Sequence, residues 1–428
     1  MAESAPVPKP LRVLVSEGNS TSAREAITIL GLSGHVVEVC DPSPLCLARF
    51  SRFVRKFHRC PPLRDDPAGF LAFVEQLLAR RHFDVLLPTH EQGFLFARAQ
   101  PRLQNLVGLA LPGFESYRAA HSKAGFSRLL DRLGLPQPAT RLVKSADELR
   151  AAIRFPAVVK TSVGTASRGV WFVRDDGDLD FALRALGARD LGANDVFVDE
   201  VLVQEFVAGV TEKAQAVFCR GKLAGFHAYR QIAAGAGGGE AIKQSVDRAE
   251  LRAMLATIGE KLAWHGALSV DYLMPDAGAT PLLIDCNPRL VEPMSAYIAG
   301  LDLVGLLLRI SLGETAAVAG ESRAGVRTHL AMQVLIGCAS RGGTRRDVVS
   351  ACRRLLVGSG PYAGSTEELT PVRLDWLSAV PLATVTTALL AAPKLAVTLA
   401  TAGWGAHLLD SASVRLIERE DFGQDRNS

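Results

Sequence analysis

The sequence has no C-x-x-C spacing among its seven cysteines, Cys40, Cys46, Cys60, Cys219, Cys286, Cys338 and Cys352. An odd number at irregular intervals supplies neither a disulfide framework nor a structural zinc site, and it fits a reducing compartment. Neither sign of charge is in excess: 48 Lys and Arg stand against 44 Asp and Glu, a net +4. That balance excludes the domain-wide basic footprint of a nucleic-acid binder. Met1 to Pro10 is rich in Pro and Ala without an apolar core, so it reads as a frayed tail and no signal peptide. The expected location is cytoplasmic. An uninterrupted apolar stretch of about 20 residues, which a membrane span needs, is also missing. Val380 to Leu409 comes nearest, but Pro393, Lys394 and His407 interrupt it. Two packed helices in an appendage, or a homodimer face, are expected there in place of a membrane contact. No internal repeat is evident.

At 428 residues, 48% of them hydrophobic, the chain has core enough for two or three domains. It opens with an apolar strand, Leu11 to Val15, a small-residue turn, Ser16 to Thr21, a helical spacing over Ser22 to Leu32, and a second strand, His35 to Asp41. This order implies a parallel sheet built from βαβ units. A helix over Pro67 to Arg81 precedes another strand, Asp84 to Thr89. The turn at Gly18 lacks G-x-G-x-x-G and reads as a plain βα connection, with no claim on a dinucleotide. Glu91 either faces a ligand at the carboxyl edge of the sheet or lies on the surface. A helix from Tyr117 to Leu133 carries Lys123. Another, Ser145 to Ile153, opens on Ser145 with Glu148 three residues on, the pattern of a capping box.

Strand Phe155 to Lys160 then leads through Thr161 to Gly169 into strand Val170 to Val173. A glycine- and serine-rich loop between strands can turn backbone N–H groups onto an anion. Without G-K-[ST] and a following helix, it is no Walker A loop. Strand Phe197 to Val207 and an alternating run, Ala214 to Phe218, follow. Ala233 to Gly239 is nearly all Ala and Gly and is expected to be a mobile loop. A helix, Ala249 to His265, delivers the chain to Leu268 to Leu273, an alternating strand that contains Asp271. A turn at Pro275 to Gly278 returns it into Leu282-Leu283-Ile284-Asp285-Cys286-Asn287-Pro288-Arg289. Antiparallel neighbours of this kind bring Asp271, Asp285 and Asn287 within a few ångströms of one another. Singly, each is an ordinary solvent-facing group. Together, two carboxylates and an amide oxygen are hard ligands suited to Mg²⁺ that shares phosphate oxygens with a nucleotide. Arg289 is placed to meet a phosphate or carboxylate as a bidentate fork. Strand alternation turns Cys286 to the opposite face. His121, His227 and His265 are expected to pack or face solvent.

The ordered set of a Lys123 helix, a strand-terminal Lys160, a Gly/Ser loop, a Gln204-Glu205-Phe206-Val207 strand end and the Asp271…Asp285-x-Asn287-Pro288-Arg289 hairpin resembles the ATP-grasp superfamily, over about Leu11 to Glu314. The resemblance implies an α/β fold: a Rossmann-like pre-ATP-grasp domain over 1–112, a two-lobed α+β ATP-grasp domain over 113–315 with a lid subdomain at about 155–203, and a mostly helical C-terminal extension over 316–428. It also implies ATP, with Mg²⁺ or Mn²⁺ held by Asp271, Asp285 and Asn287. Asp285 stands where the family more often has Glu. Lys160 would contact the α-phosphate and the adenine edge, and Lys123 the outer phosphates. Gly164, Thr165, Ala166 and Ser167 would belong to the lid loop, with Gln204, Glu205, Phe206 and Val207 along the adenine edge. Glu212 is the nearest candidate for the ribose hydroxyls. The implied reaction activates a small-molecule carboxylate as an acylphosphate for attack by an amine, with Lys160, Arg289 and Arg230 as catalytic residues. Arg230 would fix a substrate carboxylate, or is a plain strand-surface arginine. The alternatives are a carboxylase- or carbamoyl-phosphate-type enzyme that phosphorylates bicarbonate or carbamate, and a nucleotide-binding regulatory protein.

Overall fold

A computed structural model describes residues 9–164, 169–190, 196–276, 278–315, 320–401 and 407–420. Most of the expected N-terminal tail lies outside these, as do Thr165, Ala166 and Ser167 of the expected lid loop.

Strands β1 (Arg12–Val15), β2 (Val36–Asp41), β3 (Val54–Arg59) and β4 (Val85–Leu87) form a parallel sheet in the order β3-β2-β1-β4. Val13, Leu14 and Val15 are fully buried, since helices cover both faces of such a sheet. Ser20 caps helix Thr21–Leu32 by accepting from the Ala23 N–H. The edge strand β3 escaped the sequence reading because Arg55, Lys56, His58 and Arg59 mask its alternation.

The helix expected from Tyr117 to Leu133 is two helices, Phe114–His121 and Lys123–Leu133. Ser122 takes an extended backbone between them and caps the second by accepting from the Gly125 N–H. The break makes Lys123 the first residue of a helix rather than an interior one. β5 (Thr140–Ser145), β6 (Ala157–Thr161), β7 (Val170–Val173) and β8 (Val196–Glu205) form an antiparallel sheet, β5-β8-β6-β7, with a hydrophobic core of its own. Helix Ala146–Ala152 is capped by Ser145, but the Glu148 carboxylate reaches back to the Lys144 N–H and not to that of Ser145.

The largest sheet has seven strands in the order β13-β12-β9-β10-β11-β14-β15. They are β9 (Val210–Cys219), β10 (Lys222–Ala234), β11 (Glu240–Val246), β12 (Gly266–Met274), β13 (Leu282–Asn287), β14 (Arg327–His329) and β15 (Ser365–Glu367). The mobile loop expected at Ala233 to Gly239 is instead the end of a long hairpin. β10 runs through Ala234, the Gly235 N–H bonds the Gly239 carbonyl, Ala236 is buried, and β11 follows at once. Gly337 of helix Ala331–Ser340 lies so close that a Cβ there would stand 2.6 Å from the Gly235 backbone. The small residues therefore permit a close backbone approach.

β14 has only three residues, and the chain is helical from Ala331. Helices Ala331–Ser340, Arg345–Val357 and Ala379–Ala391 share a separate hydrophobic cluster with Ala396. Pro393 and Lys394 do interrupt the apolar run, between Ala379–Ala391 and Ala396–Thr401. No helix among the described residues is long and apolar enough to cross a membrane. The chain ends by returning to its beginning: Leu409, Val414 and Ile417 join the core beneath the first sheet.

Candidate functional site

Alternation along β12 puts Asp271 and Ser269 on one face, and register sets Asp271 opposite Asp285 and Ser269 opposite Asn287 on β13. On its other side Asp271 lies opposite Lys213 of β9, and Lys213 opposite Tyr229 of β10. One transverse row across the sheet is thus Asp285, Asp271, Lys213, Tyr229. Two further elements close on its end. Lys123, at the start of its helix, has Nζ 3.3 Å from Asp285 Oδ2 and also donates to the Gly164 carbonyl. Lys160, at the end of β6, donates to Gln204 Oε1 at 2.8 Å and to the Ile284 carbonyl at 3.2 Å. Gln204 in turn donates to Thr140 Oγ1, so its amide holds Lys160 in place. Cys286 turns away into the core.

The electrostatics of this row are unbalanced. Burial pushes Asp271 up to about 6; Lys213 opposes the shift and Asp285 adds to it. Burial pulls Lys160 down to about 8, against the pull of Asp285 and with the push of Lys123. Neither the Asp271 carboxylate nor the Asn287 amide takes a hydrogen bond among the described residues, and both residues are partly open to solvent. Oxygen donors and ammonium groups so arranged fit a hard cation bridged to an anion, which would relieve both strains.

No family model matches the chain. Solved structures do. The biotin carboxylase domain of 2-oxoglutarate carboxylase from Hydrogenobacter thermophilus, in complex with Mg-ADP, ADP and bicarbonate, is 14% identical with a TM-score of 0.59, over 74% of each chain. An L-amino acid ligase from Bacillus licheniformis is 18% identical with a TM-score of 0.53, over 71% of this chain and 75% of that one. N5-carboxyaminoimidazole ribonucleotide synthetase from Thermus thermophilus is 19% identical with a TM-score of 0.54, over 73% and 81%. The chain has the ATP-grasp fold.

Within the ATP-grasp fold, several residues singled out in the sequence lie away from the row. Arg230 pairs with Glu212 across β10 and β9, one residue out of phase with Lys213 and Tyr229, and so points to the opposite face. It is exposed and donates to Gln244 Oε1 at 3.1 Å. Glu212 is buried on that opposite face, its carboxylate committed to Arg248 at 2.8 and 2.7 Å and to the Tyr272 hydroxyl at 2.7 Å. The backbone N–H of Glu205 donates to the Ala139 carbonyl, and its side chain is exposed. Phe206 and Phe172 stand exposed, ring to ring in an edge contact of 6.3 Å; Val207 is half-buried beside them. Arg289 faces the first sheet, close enough for its charge to join burial in lowering His90. Ser269 holds its carbonyl at 2.7 Å.

The sequence reading missed a second charged layer behind the row. Lys213 pairs with Glu240 at 2.7 Å, and Lys243 with both Glu292 and Glu368 at 2.5 Å. Burial pulls Lys243 down, but Glu292, Glu368 and Glu25 outweigh it and hold the ammonium form. Burial pushes Glu368 up to about 7. The Tyr229 hydroxyl and Gln215 Oε1 are buried there without a hydrogen-bond partner among the described residues. Glu240 to Val246 carries no clean alternation that could have marked Lys243 as inward, since its first four residues are all buried.

At the carboxyl edge of the first sheet, the Glu91 carboxylate is buried and accepts the Leu409 N–H of the returning C-terminal segment. Beside it lie Glu17, Asp41 and His407, whose ligand atoms fall within 4.8 Å of one another, the one such group that could hold a metal among the described residues. Their oxygens are already occupied. Glu17 accepts from the N–H groups of Asn19 and Ser20 and from Thr89 Oγ1, and Asp41 from Gly18, Ser43 and His407 Nε2.

Proposed function

We propose that this chain is an ATP- and Mg²⁺-dependent ligase that activates a carboxylate as an acylphosphate for attack by an amine, forming an amide or peptide bond with release of ADP and phosphate. The observation that carries the reading is the convergence of Lys123 and Lys160, from two separate elements, on the Asp271–Asp285 pair. Asp271, Asp285 and Asn287 would hold Mg²⁺, and their oxygens suit it. When bound, the ion would offset the charge of the phosphates. Lys160 and Lys123 would grip phosphate oxygens, with Gly164, whose carbonyl takes the Lys123 ammonium, beside them. Gln204 would orient Lys160. Arg289, set between the row and the first sheet, would clamp an anionic substrate in a fork that lysine cannot reproduce.

The second layer favours an amine acceptor. Glu240 pairs with Lys213, and Glu292 and Glu368 with Lys243, with Glu25 close by; an acid-rich lining of this kind would suit an ammonium-bearing molecule. A second reading, phosphorylation of bicarbonate, draws on the bicarbonate in the Hydrogenobacter structure. Phosphate release from ATP, measured over a panel of carboxylates with and without amines, separates the two. Stimulation that requires both partners is the expected result. Release that depends on bicarbonate alone would replace the ligase by the carboxylase reading.

A further inference from the structure

Helix Arg345–Val357 buries Val348 and Ala351 in the C-terminal cluster and turns its other side outward. On that side Arg346, Val349, Arg353 and Leu356 follow at three- and four-residue spacing, a single stripe. Val349 is 54% exposed, Leu356 88% and Val357 71%. Leu356 and Val357 are adjacent apolar side chains left open to water at the end of this helix, beside the arginines of the stripe. Arg346, Arg353 and Arg354 are exposed and enter no salt bridge among the described residues. Asp347, the one acid on the helix, is held in the capping box with Thr344. Arg345 donates to the Ala391 carbonyl, which brings exposed Lys394 and Leu395 near the start of the same helix.

We propose that this face docks the protein on an anionic phospholipid surface, with Leu356 and Val357 entering the acyl boundary and Arg346, Arg353 and Arg354 meeting acidic headgroups. Charge and polarity select that occupant. A two-fold pairing of this face with a second copy would set arginine against arginine. A nucleic acid would answer the arginines and leave Leu356 and Val357 in water. A lipid interface answers both. At about 1.5 Å per residue, 13 residues reach roughly 20 Å, which suits a helix lying in the interface and not one crossing it.

The test is flotation of the full chain with vesicles of phosphatidylcholine alone or mixed with phosphatidylglycerol. Binding to the anionic vesicles is expected to be at least about tenfold tighter and to weaken as salt rises. Arg353→Ala should cost about fivefold, and Leu356→Ser should abolish flotation. Both side chains are exposed, so an unchanged unfolding midpoint certifies the fold. Equal binding to both vesicle types, or to neither, overturns the proposal. So does a self-association in solution that Leu356→Ser removes while vesicles remain unbound, since the face would then be a protein interface.

Discussion

Two groups of carboxylates sit at two sheets of this molecule, one fully buried and one partly open to solvent, and they are built on opposite plans. Glu17 and Asp41, at the carboxyl edge of the parallel sheet, are saturated by backbone N–H groups, hydroxyls and His407. Asp271 and Asp285, on the face of the seven-stranded sheet, are not. Asp271 accepts no hydrogen bond among the described residues, and Asp285 has Lys123 and the Cys286 N–H. By simple ligand-atom proximity the first group is the better metal site. By hydrogen-bond satisfaction it is the worse one, because an ion would have to displace donors already in place. What marks a site is the charge left uncompensated, here with Asp271 raised by burial and Lys160 lowered by it.

The sharpest way to break that contrast is Asp285→Ala. In the proposed site Asp285 is a metal ligand, so this variant should reduce ATP turnover by roughly 10²–10³-fold or more, with little loss of stability. Full ATP consumption by this variant would remove the metal assignment and the contrast with it.

The second group answers to the reverse measurement. His407→Ala would leave Asp41 and Gln92 without their buried partner and should cost about 2–3 kcal/mol of stability in chemical unfolding, while turnover per folded molecule is kept. The pH dependence has a definite sign. Burial pulls His407 down, but Asp41 and its neighbours outweigh it, so its value lies above the ordinary 6.5. The stabilisation is complete below 6.5 and fades as pH rises through the elevated value. A stability gap between the native chain and His407→Ala that widens with rising pH would refute the pairing.

How much of this was legible in the residues depends on distance along the chain. The Asp271–Asp285 register follows from local pattern, since Leu268 to Leu273 alternates and a short turn leaves little freedom in pairing. Lys160 and Lys123 were legible as strand-end and helix residues. The helix break at Ser122 was not, because apolar spacing continues across it through Tyr117, Ala120, Ala124 and Phe126. The second charged layer needs residues from Glu25 to Glu368, and the latch joins Asp41 to His407 across 366 positions. No local periodicity encodes such contacts. Arg230 and Glu212 lie off the row for a narrower reason: strand phase is set by the partner strand's register, and a one-residue difference reverses the face.

A third measurement sharpens the site's side of the contrast. With Lys160 held near 8, its charge is lost as pH rises through that value. The kcat/KM for ATP should therefore fall by up to about tenfold per pH unit above it. In Lys160→Arg this limb should vanish from the accessible range, because guanidinium stays charged. A native profile flat to pH 9.5 or so would mean that Lys160 touches no phosphate.

The smallest effect tests strand phase itself. Arg230→Ala removes an exposed guanidinium whose one hydrogen bond is to Gln244, on the face away from Asp271. Turnover should change by less than about twofold and stability by under about 0.5 kcal/mol, as for surface substitutions in general. Lys213→Ala, one residue position along in the same cross-strand register, removes the ammonium between Asp271 and Glu240. It should weaken both turnover and fold. If Arg230→Ala instead matched Lys213→Ala in lost activity, substrate would have to reach both faces of the sheet. The row Asp285, Asp271, Lys213, Tyr229 would then no longer define which side of the molecule does the chemistry.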